Sequence, residues 1–237
     1  MNQIDYSKMY NSNDTKSFHS SFFPKNIMAV IAGKTGSGKT QLLINLLVQP
    51  GILNYSFVHI YSPTLYQDAY VFLRKYYEEL SHYILITTGK TVTIGHFHSS
   101  DDEIVDPSKL DKNYHHIMVF DDVMLNDQSI IRDYFCRGRH NNISCFYLVQ
   151  SLHKIAKHCI RENSNVFVLF QQDDKTLKYF YETHISGDMP WEEFRKFCYN
   201  GWKKKHGFIV INLFDESQSG RYLDNYKSIY IPKKYSF

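Results

Sequence analysis

No stretch of the 237 residues approaches the ~18 consecutive apolar residues that a bilayer-spanning helix requires, so the chain reads as soluble. The amino terminus, Met1 to Ser21, is polar and lacks the apolar core of a secretory signal. Secretion is therefore not expected, and the compartment should be intracellular and reducing. Cysteine is sparse: Cys136, Cys145, Cys159 and Cys198 lie far apart, without the close pairs of zinc sites or redox motifs. They are expected as buried thiols. A strong charge of one sign is also missing, since a formal +3 and a pI near 8.5 permit a nucleic-acid partner without demanding one. Internal repeats and low-complexity segments are absent. The length suits one α/β domain with a substantial core, expected over residues 25–215. Residues 1–24 read as an N-terminal arm, and residues 216–237 as a C-terminal extension packed on the same domain.

What is present centres on Gly33-Lys34-Thr35-Gly36-Ser37-Gly38-Lys39-Thr40, which fits the phosphate-loop pattern of Gly, four residues, Gly, Lys and Ser or Thr. A loop wrapped around phosphate oxygens must turn its backbone N–H groups inward, and Cβ atoms would block that approach. Gly33, Gly36 and Gly38 have none. Lys39 would bring an ammonium to the β and γ phosphates of ATP, and the Thr40 hydroxyl would supply a ligand to Mg2+, with Gln41 closing the nucleotide-binding stretch. Context supports this reading: the apolar run Asn26 to Ala32 reads as a strand ending at the first glycine, and Gln41 to Val48 has apolar residues at helical spacing.

Further along, Phe57 to Tyr61 reads as a strand and Tyr66 to Leu80 as an amphipathic helix. Tyr83 to Ile86 and Thr91 to Phe97 are expected as short strands flanking a turn at Gly89, followed by an acidic, loop-like Ser99 to Asn113. His96 and His98 raise a metal site, but a His-x-His pair with no third ligand nearby is more often a strand edge. His116 to Phe120 is an unbroken apolar run ending in Asp121 and Asp122, as expected of a strand buried on both faces of a parallel sheet. Ligands bind at the carboxyl ends of such strands. Asp121 is placed to hold Mg2+, and Asp122 to accept a proton from an attacking water.

Asp127 to His140 reads as a helix with Asn126 or Asp127 as N-cap and an apolar stripe of Ile130, Ile131, Tyr134 and Phe135. Its basic end, Arg137-Gly138-Arg139-His140, either offsets the helix dipole or reaches a γ-phosphate. Ile143 to Val149 is another buried strand, with Gln150 at its carboxyl end, where a neutral amide can hydrogen-bond both an attacking water and a phosphate oxygen. Leu152 to Asn163 is expected as a short helix containing Arg161, and Val166 to Phe170 as a strand. Helices over Asp174 to His184 and Pro190 to Trp202 follow, the second with Pro190 in its first turn. Lys203 to Gly207 is a basic turn, either solvated or touching DNA phosphates. Strands are expected at Phe208 to Leu213 and Ser228 to Ile231. A parallel sheet with interleaved helices summarises the pattern.

Taken together, Gly33 to Thr40, Tyr61-Ser62-Pro63-Thr64-Leu65, Val119-Phe120-Asp121-Asp122, Arg137-Gly138-Arg139-His140-Asn141, and Gln150-Ser151 followed by Arg161 and Asn163 resemble the genome-packaging ATPases of large DNA viruses and related mobile elements, within the HerA/FtsK superfamily. The resemblance implies a three-layer α/β P-loop NTPase with a mostly parallel central sheet, an extra strand between the phosphate-loop strand and the acidic strand, and assembly into a ring. It also implies that Gln150 is the sensor and that Arg139 or Arg161 is a finger reaching the neighbouring subunit's site, Arg139 being the favoured one.

The expected activity is thus a Mg2+-dependent ATPase that translocates double-stranded DNA into a preformed capsid, with capsid or portal protein as a partner and the virion as one location. Two rivals are a small-molecule or nucleoside kinase, which shares the phosphate loop, and a nucleotide-gated scaffold. A kinase needs an acceptor site and a mobile lid, often rich in arginine, whereas residues 62–112 carry mainly Tyr, His and acids.

Overall fold

The computed structural model describes residues 19–99, 104–123, 129–155, 160–215, 220–226 and 228–230. They form two compact units, one of residues up to Ile27 with Thr40–Phe146, the other of Met28–Lys39 with residues from Tyr147 onward.

The first unit holds α1 (Lys39–Val48) from Thr40 on, β2 (Phe57–Tyr61), α2 (Asp68–Thr88), β3 (Gly95–His98), β4 (His116–Asp121), α3 (Ser129–Arg137) and the first half of β5 (Ile143–Val149). Its strand order is β3-β2-β4-β5. Both β3 and β4 run parallel to β2, with Val58 opposite Gly95 and Phe57 opposite His116. The second unit holds β1 (Met28–Ala32), the rest of β5, β6 (Val166–Phe170), α4 (Asp174–His184), α5 (Trp191–Gly201), β7 (Phe208–Asn212), β8 (Tyr222–Asp224) and β9 (Ser228–Tyr230). Its order is β5-β1-β6-β7-β8-β9. Strand β6 is parallel to β1, and the steps from β6 through β9 are antiparallel.

Every residue of β1, β4, β5 and β6 is buried, which is why these strands read as unbroken apolar runs without alternation. Such strands offer ligands only their ends. Asp173 caps α4, accepting a hydrogen bond from the Thr176 N–H at 2.9 Å.

Several local expectations are corrected. Tyr83 to Ile86 is not a strand but the last part of α2, and the strand expected over Thr91 to Phe97 is β3, Gly95–His98. The buried face of α2 runs Tyr70, Leu73, Tyr76, Tyr77, Leu80 and Ile84, a helical spacing that the β-prone composition of its end obscured. Gly89 stops the helix in a left-handed conformation, its N–H donating to Leu85 O at 2.9 Å. Pro190 is the N-cap of α5, one position before the first turn. Strand β8 was not anticipated; it is three residues long and paired to β7. Cys145 and Cys198 are buried as expected, but Cys136 is half-buried because it faces away from the Ile131, Tyr134 and Phe135 side of α3. Leu152–Lys154 is a 3-10 turn where a helix was expected to begin. The proposed caps Asn126 and Asp127, Cys159, and most of the N-terminal arm and C-terminal extension lie outside the described residues.

His96 and His98 lie on edge strand β3 and stack on His59 of β2, with ring centroids 4.7 and 6.0 Å away. Burial, then the neighbouring histidines His96, His116 and His98, hold His59 down to about 3, so it is neutral at pH 7. Among the described residues no group of three or more His, Cys, Asp or Glu is arranged to hold a metal ion, and no helix is long and apolar enough to cross a membrane.

The end of α2 can be tested directly. Ile84 is fully buried and Ile86 is 71 % exposed, although in a strand the two would share one face. Ile84→Ala should cost about 2–5 kcal/mol in denaturant unfolding and Ile86→Ala less than about 0.5 kcal/mol. Equal losses would contradict the helix.

Candidate nucleotide-binding site

The glycine loop begins where β1 ends. Gly33 N–H donates to Val149 O at 3.0 Å, so the loop's first residue is pinned to the last residue of β5, and Gln150 follows directly. A Cβ on Gly33 would lie 2.6 Å from Ser37 Oγ and 2.7 Å from Phe170 Cβ, a collision on both sides. Gly38 has a φ of +107°, a region closed to other residues at little cost. The Gln172 amide, buried beside the loop, donates to Ala32 O at 3.3 Å and Phe170 O at 2.9 Å, joining the carboxyl ends of β1 and β6.

Lys39 is 8 % exposed, and its Nζ donates to the carbonyls of Gly33 at 2.7 Å and Lys34 at 3.3 Å. The ammonium is therefore held across the loop rather than out in solvent. The next residue, Thr40, opens the bulk of α1, and its hydroxyl donates to Asp121 Oδ2 at 3.1 Å. Asp121 is the last residue of β4 and is 5 % exposed. Two hard oxygen donors, a hydroxyl and a carboxylate, are thus adjacent at the helix start, the donor set that Mg2+ takes. Asp122 leaves the strand in a left-handed conformation, φ +55°. That backbone costs a non-glycine residue roughly 1–2 kcal/mol, least for Asp or Asn, and is common at functional turns.

A further residue joins Asp121 that sequence reasoning missed. The Tyr70 hydroxyl, from the first turns of α2, donates to the same Oδ2 that accepts from Thr40. Burial first, and then the adjacent Asp121 carboxylate, push the Tyr70 phenol far above its ordinary range, so it stays protonated as a donor. Its sequence position marks it only as one member of an apolar helix stripe. The single clue is that the position carries a hydroxyl where Leu or Phe would fill the space. Ser62, 1 % exposed, turns the chain after β2 by accepting from the Thr64 N–H at 3.1 Å.

The two arginines differ. Arg139 lies on the 3-10 turn Gly138–Asn141 with an exposed side chain, and its carbonyl accepts from Asn26 Nδ2 at 2.6 Å. Arg161 is 9 % exposed and its guanidinium lies 5.0 Å from the centre of the Tyr179 ring. Gln150 is exposed at the end of β5. Thr40, Tyr70 and Asp121 are therefore in direct contact, and Gly33, Lys34 and Lys39 form the loop.

A glycine loop between a buried strand and a helix marks the P-loop NTPase fold. Solved structures of that fold match over most of their length. The genome packaging NTPase B204 from Sulfolobus turreted icosahedral virus 2 in complex with AMP is 13 % identical, with a TM-score of 0.50, covering 82 % of this chain and 96 % of that one. Its complex with ATP-gammaS is 14 % identical, with a TM-score of 0.50, covering 81 % and 94 %. B204 described as the DNA-packaging ATPase from Sulfolobus Turreted Icosahedral Virus is also 14 % identical, with a TM-score of 0.50, covering 81 % and 96 %. At such identities the likeness establishes the fold. No curated protein matches the chain. Residues 15–184, well over half the chain, match the family model described as Poxvirus A32 protein, and the chain belongs to that family. The resemblance to viral genome-packaging ATPases read from the sequence is borne out at that level.

If the Tyr70 hydroxyl holds the Asp121 carboxylate, the two side chains must be energetically coupled. A double-mutant cycle of Tyr70→Phe and Asp121→Asn, read by chemical unfolding, should give a coupling of about 0.5–3 kcal/mol. Additivity within about 0.3 kcal/mol would remove Tyr70 from the site.

Proposed function

We propose that the protein is an ATP-driven motor that translocates double-stranded DNA into a preformed viral capsid. The observation that carries this reading is the hydrogen bond from Thr40 to Asp121, within a chain of the Poxvirus A32 protein family. AMP and ATP-gammaS bound to B204 support a nucleotide at the glycine loop here. The backbone N–H groups of residues 33–41 would cradle the phosphates, and Lys39 would exchange its loop carbonyls for phosphate oxygens. Thr40 and Asp121 would hold Mg2+, which when bound neutralises charge on the phosphoryl oxygens.

Asp122 and Gln150 are assigned to the attacking water, Asp122 accepting its proton and the Gln150 amide orienting it. The transition state gathers negative charge, and a neighbouring subunit's arginine would offset it. The exposure of Arg139 supports it over Arg161, whose guanidinium is buried against Tyr179. A finger supplied in trans requires a ring, and the working location is where genome and capsid meet in the infected cell, with capsid or portal protein as partner.

An arginine supplied by a neighbour contributes ~10³ to 10⁵ in rate, so the isolated subunit should be a poor ATPase. ATPase activity per subunit should rise steeply with protein concentration and with duplex DNA, and Arg139→Ala should abolish that rise while Arg161→Ala does not. Activity per subunit that is independent of concentration and of DNA would contradict the motor. Phosphate transfer to a nucleoside would instead establish a kinase.

A further inference from the structure

The basic turn after α5 keeps its lysines exposed but touches the phosphate loop through His206. Trp202 is 9 % exposed, and its indole N–H donates to Leu169 O at 2.8 Å, tying the end of the helix to β6. Gly207 N–H donates to Lys204 O at 2.9 Å, and a Cβ on Gly207 would lie 2.2 Å from Gly201 O, so the turn is closed as tightly as backbone allows. Between them His206 adopts a left-handed φ of +58°. That conformation sets its ring on the loop: Nδ1 is 3.0 Å from Ser37 O, and ring atoms lie about 3.5 Å from where a Cβ on Gly38 would be. Since a carbonyl can only accept, Nδ1 carries the proton. A turn that was merely solvated would not need a strained histidine.

Beside this contact is a pocket of about 280 Å³ lined by Ser37, Phe170, Gln171, Trp202, Lys204 and His206 among others. Its volume is just below that of a pocket for a whole drug-sized ligand. It suits the part of a nucleotide that the phosphate loop does not hold. Phe170 and Trp202 give it an apolar floor, and the exposed Gln171 side chain supplies both a donor and an acceptor amide. Exposed Lys203, Lys204 and Lys205 line the rim with positive charge.

We propose that this pocket receives the nucleoside of the nucleotide whose phosphates occupy the loop, with His206 and Gln171 as its specificity-determining residues. The inference rests on the nucleotide reading of the loop. A base is flat and largely apolar on its faces, and hydrogen-bonds through its edges; a concave site with an aromatic floor and amide and imidazole edges matches that chemistry. A DNA backbone could use the same lysines but has no need of the concavity or of the ring set against Ser37.

The test compares ATP with inorganic tripolyphosphate, each with Mg2+, by titration calorimetry on the full chain. His206→Asn keeps a residue that tolerates the left-handed backbone and removes the ring. Gln171→Ala alters the pocket without touching the turn. The wild type should bind ATP about tenfold or more tightly than tripolyphosphate, a difference of about 1.4 kcal/mol. Each variant should lose most of that preference while its tripolyphosphate affinity stays within about twofold. Variants that keep the full preference would overturn the pocket assignment and leave the loop reading intact. So would a Lys203, Lys204 and Lys205 to Ala triple variant that loses duplex DNA while His206→Asn binds ATP normally. Lys39→Ala separates the two levels, because loss of both ligands is expected there. A wild type that binds neither ligand would sink the loop reading and the pocket with it.

Discussion

One hydrogen bond organises the candidate site: the Thr40 hydroxyl on the Asp121 carboxylate, 3.1 Å apart. Thr40 is the first residue beyond the loop lysine, and Asp121 is the last residue of β4. A single contact therefore fixes the start of α1 to the end of a buried strand. The carboxylate is 5 % exposed, and a buried charge is tolerated only when it is hydrogen-bonded. Thr40 and Tyr70 both donate to it, so three elements converge on one oxygen. Tyr70 stays protonated well beyond the ordinary tyrosine range, so it remains a donor to the carboxylate.

The loop side is governed by space rather than charge. The approach of Phe170 and Ser37 to Gly33 leaves no room for a Cβ, and the Gln172 amide spans the ends of β1 and β6. The same strand end carries the Leu169 carbonyl that receives the Trp202 indole, so the basic turn and the loop share one support. Strands buried on both faces drive this placement, because chemistry that needs solvent can only sit at their carboxyl ends.

Much of this was legible in residues 26–40, 116–122 and 143–150, where unbroken apolar runs end abruptly in glycine, carboxylate or amide. A fully buried strand leaves a compositional record that one chain suffices to read. The end of α2 did not, because Tyr83-Ile84-Leu85-Ile86 has strand-like composition and only its burial pattern declares a helix. Short pairings such as β8 depend on partners distant in sequence and carry no local period. Tyr70 and His206 escaped for the same reason. One is a hydroxyl on an apolar stripe, the other a histidine in a lysine-rich turn, and each acquires meaning from a contact 51 or 169 residues away. Arg139 and Arg161 differ in exposure, which composition does not show.

The central proposal is that residues 33–41 bind the phosphates of a nucleotide and that Thr40 and Asp121 hold its Mg2+. It is tested most directly by a crystal structure of the full chain with Mg2+ and a non-hydrolysable ATP analogue. The expected result has the β-phosphate within hydrogen-bonding distance of the loop N–H groups, Lys39 Nζ on phosphate oxygens, and the ion on Thr40 Oγ1 with Asp121 in its shell. A nucleotide bound away from residues 33–41, or an ion that leaves the Thr40 and Asp121 side chains untouched, would contradict it.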